Sequence, residues 1–272
     1  MSSPESERYN NLMYVNEKRQ ARDIFDNSIE KVFSKLAKAD TGGTEVNIPK
    51  EGKLVVAFMP HTGFLEPVLI DKILSENGRT PPVWITKKES KDLPKILLSD
   101  RRFIYVDRKN PELSSLRAVN RVLSHPNGIV ASALEGTRYS NPEDPEDVLT
   151  LGESRLGLMR FSYESQTPIM GVVVVGVDKK LPSLDKTVKE KGIGEALKLM
   201  AKGYISPAVV QMRFLPPYTD HLSEIKFGVN NKKSDFIEKH NEIFTDTLIK
   251  EIIKIDPEYP LGFYKDRFSP GK

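Results

Sequence analysis

Residues 54–76 read LVVAFMPHTGFLEPVLIDKILSE, and this stretch decides the fold. Leu54–Met59 is a short, uninterrupted apolar run, the pattern of a strand buried on both faces. His61, Thr62 and Gly63 break the run, and apolar residues then return at helical spacing through Pro67–Glu76. Proline suits a first helical position because the N–H it lacks would have no partner there anyway, which makes Glu66 the expected N-cap. A buried strand feeding a helix is the repeating half of a crossover between parallel strands, so an α/β fold is expected.

His61 then stands at the carboxyl end of a buried strand, with Glu66 five positions on. Along one continuous helix, five positions would turn the side chains roughly 140° apart at ~100° per residue, so a pairing needs the bend that Gly63 and Pro67 permit. Given that bend, a carboxylate on one imidazole nitrogen fixes the tautomer and leaves the other nitrogen to take a proton from an attacking hydroxyl. Such a base is worth about 100- to 10,000-fold in rate. A lone histidine at a strand end is more often a hydrogen-bonded core or loop residue, so the pair alone is weak evidence.

Outward from this stretch, apolar runs continue to alternate with helical periods. Strands are expected at Val83–Thr86, Phe103–Val106, Ile129–Leu134, Ile169–Val177 and Val209–Leu215, with helices near Lys87–Leu98, Leu113–Ser124 and Glu153–Ser165. A strongly amphipathic helix from Ser234 to Lys254, with Phe236, Phe244, Leu248 and Ile252 on one side, is placed to cover a sheet face. Upstream, Phe25, Ile29, Val32, Phe33 and Leu36 recur at three- and four-residue steps, which predicts helix from about Arg8 to Ala39. The polar connection around Gly42 and Gly43 then divides the chain into an N-terminal helical element, 1–42, and an α/β domain, 43–272, built as a mixed, largely parallel sheet flanked by helices. Beyond Asp256, three prolines and Tyr259, Phe263, Tyr264 and Phe268 describe an irregular tail with the aromatic content to pack back.

Composition narrows the function classes. The 272 residues suffice for one large domain with an appendage, and 38% hydrophobic with 29% charged residues is a globular balance. The longest apolar stretch, Ile169–Val177, falls well short of the roughly 20 residues needed to cross a bilayer. The opening MSSPESERYNN lacks an apolar signal core, so a cytoplasmic protein is expected. With no cysteine there is neither a disulfide framework nor a thiolate nucleophile, and no metal or other cofactor is expected. A net charge of +3 is too mild for nucleic acid, where a clustered basic face is required. The segment from Lys179 to Lys202 is more lopsided, with seven lysines against Asp185, Glu190 and Glu195, a pattern compatible with an anionic membrane surface, an acidic carrier protein or a merely solvated face.

Further blocks follow the His61 stretch in order: KKE at Lys87–Glu89, FIYVDR at Phe103–Arg108, LEGTR at Leu134–Arg138 and TPIMGVVVVG from Thr167. In order and spacing they resemble the glycerolipid acyltransferase superfamily, which includes glycerol-3-phosphate and lysophosphatidic acid acyltransferases, over about residues 50–215. Glu135-Gly136-Thr137-Arg138 is the most specific block: Gly136 permits a sharp turn, Thr137 offers a hydroxyl and an amide, and Arg138 offers a planar fork of donors suited to phosphate.

The resemblance implies His61 and Glu66 as the catalytic pair, and Arg108, Glu135, Gly136, Thr137, Arg138 and Lys87 as substrate-binding residues, with Pro168 shaping a strand entry. It implies transfer of a fatty acyl group from acyl-CoA or acyl carrier protein to a hydroxyl of a phosphorylated glycerol-type acceptor in phospholipid synthesis. The family's first block is His, four residues, then Asp, whereas Glu66 stands here, and Pro60 replaces a usual polar residue. Glu66 is similar to the lipid A acyltransferase branch, which keeps a glycolipid or sugar hydroxyl open as the acceptor, and a non-catalytic lipid-binding protein of the same fold open as a third reading. Gly152 is retained without the lysine usual just before it, and the family's frequent N-terminal membrane helices are replaced by the charged stretch Asp23–Lys38. That replacement favours a soluble enzyme or one held peripherally at the inner face of a membrane.

Overall fold

In the computed structural model, the described residues are 37–41, 47–62, 65–87, 103–107, 113–136, 139–140, 149–177, 198, 208–226 and 232–268. The apolar runs become strands because each can bury both faces. Strand β2, Leu54–Met59, is buried at all six positions, with Leu54, Val56 and Phe58 directed to one side and Val55, Ala57 and Met59 to the other. It leads to helix α1, Leu65–Glu76, and strand β3, Val83–Lys87. Strand β4, Phe103–Val106, is followed by α2, Leu113–Ser124, and β5, Ile129–Ala133. A short antiparallel pair, β6 (Tyr139–Ser140) and β7 (Leu149–Thr150), precedes α3, Gly157–Ser165, and β8, Ile169–Val175. Strand β9, Ala208–Phe214, is followed by α4, Asp220–Lys226, and α5, Lys233–Ile255. The described chain closes on a 3₁₀ turn, Gly262–Tyr264, and α6, Lys265–Phe268.

With β1, Ala37–Asp40, the main sheet has seven strands in the order β1-β9-β8-β2-β5-β3-β4. Every pairing is parallel except β8 with β9, so this is the mixed, largely parallel sheet expected. The two faces follow from connection handedness. The β2-to-β3 crossover moves one way with α1 on one face, and β4-to-β5 and β5-to-β8 move back with α2 and α3 on the other, as right-handed crossovers require. Helix α5 joins α2 and α3 on that second face. It seats against β8 at Gly171, where an added Cβ would stand 2.6 Å from Leu248 Cδ2. Pro168 immediately precedes β8, and its carbonyl accepts the N–H of Val55 at 3.0 Å.

Four elements differ from the sequence reading. Residues 37–39, expected as the end of a helix, join Asp40 in an edge strand paired in register with Ala208–Gln211, because an open sheet edge offers a ladder of partners that outweighs weak local preference. The remainder of the segment expected as the N-terminal helix lies outside the described residues. Lys87 closes β3 opposite Val106 instead of opening a helix, and the rest of that helix is likewise outside. Helix α3 starts at Gly157 rather than Glu153, and the residues just before it lie outside the helix, with the amides of Gly152, Ser154 and Arg155 donated to Glu135, Tyr264 and Leu134. Glu66 falls inside the first turn of α1 rather than at its N-cap. Among the described residues, no helix is long and apolar enough to cross a membrane.

Candidate active site

Strands β2, β5, β3 and β4 run parallel, so their carboxyl ends open on one edge of the sheet, the usual ligand crevice of an open α/β sheet. His61 lies two residues past the end of β2, Glu135 and Gly136 two and three past β5, and Lys87 at the end of β3. The fold therefore brings the first and third sequence blocks to one place. Lys87 is half-buried on the same edge, while Arg108, Thr137 and Arg138 lie outside the described residues.

His61 is half-buried, and its ring makes a T-shaped contact with Phe58 at a centroid separation of 5.5 Å and an interplanar angle of 90°. A cis bond joins Met59 to Pro60 just before it. Its backbone N–H donates to Glu135 Oε2 at 2.7 Å, and the other oxygen of that carboxylate, Oε1, accepts from Gly152 N–H at 2.7 Å. Leu134, beside Glu135, donates its N–H to the carbonyl of Phe58 at 2.9 Å, so the two strand ends are joined twice. Gly136 sits at φ 72°, the left-handed region that a glycine enters without steric cost, and its N–H closes the turn onto the carbonyl of Ala133.

Glu66 is fully buried. Its Oε1 accepts from the N–H of Thr62 at 2.7 Å and from the Thr62 hydroxyl. The carboxylate thereby reaches back from α1 to the turn that carries His61, as an acidic residue in a first helical turn often does. His61 Nδ1 and Glu66 Oε2 are both shielded from solvent. Thr62 was not anticipated as a partner; a threonine four residues before a glutamate at a helix start was the signal available.

Glu135 is 1% exposed, and burial pushes its carboxyl up to about 8. The two backbone N–H bonds oppose that rise by favouring the ionised form, and the nearby charge of Glu66 adds to it. Both oxygens accept from backbone amides, so the contacts of Glu135 in this structure are those of a brace between the His61 turn and Gly152. Chemically, the edge presents an imidazole on a fixed backbone between two buried carboxyl groups, a setting suited to accepting and returning a proton. Among the described residues, no group of acidic or histidine side chains is arranged to hold a metal ion.

Comparison with known proteins bears on this edge. The model of a family described as Acyltransferase matches residues 43–175, which include His61, Glu66, Lys87 and the whole third block. A protein of Mycoplasma genitalium named probable 1-acyl-sn-glycerol-3-phosphate acyltransferase is 29% identical over 151 residues, 54% of this chain and 52% of its own. Its namesake from Mycoplasma pneumoniae is 28% identical over 170 residues, 59% of each chain. The chain thus spans somewhat over half the length of these curated relatives. Among solved structures, the 1-acyl-sn-glycerophosphate (LPA) acyltransferase PlsC of Thermotoga maritima superposes with a TM-score of 0.51 at 16% identity, covering 89% of this chain and 85% of that one, a likeness of fold.

Proposed function

Taking residues 43–175 as a member of the acyltransferase family, within the glycerolipid acyltransferase superfamily, we propose that the chain transfers a fatty acyl group from a thioester to the free hydroxyl of a lysophosphatidate-type acceptor. The observation that carries this is the bond from His61 N–H to Glu135, which joins a candidate base at the end of β2 to the Glu-Gly-Thr-Arg turn at the end of β5. The names of the relatives supply the acceptor class.

In this reading His61 takes the proton of the acceptor hydroxyl as the oxygen attacks the thioester carbonyl carbon. Glu66, through its second oxygen, holds the ring and balances the imidazolium. The tetrahedral intermediate collapses with cleavage of the C–S bond, and the imidazolium returns its proton to the departing thiolate, leaving an ester and a free thiol. No covalent enzyme intermediate is needed. Arg108, Arg138 and Thr137, with the turn at Gly136, grip the acceptor phosphate, where a planar guanidinium meets two oxygens at once. Lys87, on the same edge, adds positive charge, and Glu135 acts as a positioning residue. The donor is acyl-CoA or an acylated carrier protein.

An acceptor screen with a fixed acyl-CoA, read by release of free thiol, tests the proposal. Lysophosphatidate should be acylated, and His61→Ala should lower turnover about 100- to 10,000-fold while donor binding persists. Turnover undiminished in His61→Ala would remove the base from the mechanism. The longer Glu66 in place of aspartate keeps one further acceptor in the screen: acylation of a sugar lipid with lysophosphatidate and glycerol-3-phosphate both unmodified would move the activity to glycolipids.

A further inference from the structure

We propose that the segment 260–264, which lies beyond the residues matched by the family, is a positioning strap for His61 acting through Gly152 and Glu135. The inference rests on the reading of His61 as the base. Its starting point is that Glu135 has two attachments: one oxygen holds the His61 amide and the other holds the Gly152 amide. Where Glu135 stands therefore depends on where residues 151–154 stand, and these lie in no helix or strand that would hold them on its own.

The strap supplies that support from outside. Leu151 N–H donates to the carbonyl of Pro260 at 3.1 Å, and Phe263 N–H returns a bond to the carbonyl of Leu151 at 3.0 Å. Ser154 N–H donates to the phenol oxygen of Tyr264 at 2.8 Å, and Asn241 of α5 donates from Nδ2 to Ser154 Oγ at 2.9 Å. Gly262, at φ 50°, lets the strap approach backbone to backbone: a Cβ there would stand 2.4 Å from the carbonyl oxygen of Leu151 and 2.8 Å from Thr150 Cβ. Tyr264 is buried, and its ring makes a T-shaped contact with Phe263 at a centroid separation of 5.1 Å. Burial raises the Tyr264 pKa, and the charge of Glu135 adds to the rise, which places the phenol within electrostatic reach of the brace. The path runs from phenol to Ser154, along two residues of backbone to Gly152, across the Glu135 carboxylate and onto the amide of His61.

The consequence is specific. Removing the phenol oxygen deprives Ser154 N–H of its acceptor, lets 151–154 shift, and moves Glu135 and with it the histidine. A displacement of a base by about an ångström from its productive geometry is enough to cost up to roughly 100-fold in rate.

The experiment compares full-length Tyr264→Phe with Tyr218→Phe. Tyr218 sits at the opposite end of the sheet, where its amide pairs with the carbonyl of Ile169 at the start of β8, and its hydroxyl meets His240 Nδ1 at 2.5 Å, so this variant also loses a hydrogen bond of the protein interior. On ¹⁵N-labelled protein, Tyr264→Phe should move the amide resonances of both Gly152 and His61 and lower kcat roughly tenfold with KM unchanged. Tyr218→Phe should leave both amides and kcat at wild type. If Tyr264→Phe does not accumulate as folded protein, Asn241→Ala, which releases Ser154 Oγ, takes its place with the same readouts. A His61 amide unmoved by Tyr264→Phe, one moved equally by Tyr218→Phe, or a moved amide with unchanged kcat each overturns the strap. A moved amide together with full turnover in His61→Ala overturns the catalytic reading instead.

Discussion

Replacing Glu135 by glutamine tests the centre of the site with almost no change of shape. The carboxyl group accepts one bond from His61 N–H and one from Gly152 N–H, each at 2.7 Å, and in its protonated form the hydroxyl oxygen can still accept. Glutamine keeps one acceptor oxygen, but its NH₂ must face the other backbone N–H, donor against donor. One buried amide is then left without an acceptor, a loss of about 1–3 kcal/mol. For a chain of this size each kcal/mol lowers Tm by roughly 2–4 °C, so a fall of roughly 2–12 °C is expected near pH 5.

The pH dependence carries more information. Burial raises the Glu135 carboxyl in the folded protein from 4.5 to about 8, so between these values the folded state holds a proton that the unfolded state has released. The contribution of this group to stability therefore falls as pH rises through that window, with a slope of at most ~1.4 kcal/mol per pH unit. Glutamine does not titrate. The stability gap between wild type and Glu135→Gln should accordingly narrow from pH 5 to pH 8, measured by urea unfolding of both proteins at each pH. A gap that stays constant or widens would show that Glu135 is ionised when folded, and would refute the claim that desolvation outweighs its two amide bonds.

Two other perturbations probe the scaffold. Gly171→Ala should destabilise the protein by about 1–3 kcal/mol in urea unfolding, because the new Cβ drives into Leu248 and Phe244 where α5 meets β8. His221 is fully buried, with Nε2 at 2.7 Å from the Ser162 hydroxyl, and burial, followed by the neighbouring His240, lowers its pKa from 6.5 to about 4. Its unfolded form binds the proton first, so wild-type stability should fall as pH drops from 6.5 towards 4, and His221→Gln, followed by thermal unfolding at pH 7 and pH 4.5, should lose part of that dependence.

The local elements were largely legible because their patterns are dense. Leu54–Met59, Phe103–Val106 and Leu113–Ser124 appear with the bounds expected, since a run with no polar residue, or a helix with one apolar face, leaves few alternatives. The misread segments are those whose backbone partners come from far along the chain. Ala37–Asp40 lacks any strand pattern of its own and is ordered by β9, some 170 residues away. Gly152 and Ser154 stand next to a helical stretch but donate their amides to Glu135 and Tyr264, far along the chain. The pairing of His61 with Glu66 was an expectation from Gly63 and Pro67, and the structure shows Glu66 bonded to Thr62, the neighbour of His61. The part of Thr62 was readable only weakly, and that of Tyr264 was reduced to an aromatic residue in a tail.

By itself the amino-acid sequence determined the α/β class, the strand that delivers His61 and the block that delivers Glu135, because periodicity and turn residues act over a few positions at a time. It also carried the likeness to acyltransferases, in blocks a handful of residues long. Only the tertiary structure decided the strand order, the joining of His61 to Glu135 across 74 positions and the bonding of Leu151 and Ser154 to residues more than 100 positions further on. These are hydrogen bonds between groups that no local pattern relates, formed because a buried carboxylate and buried amides must each find a partner wherever the fold provides one.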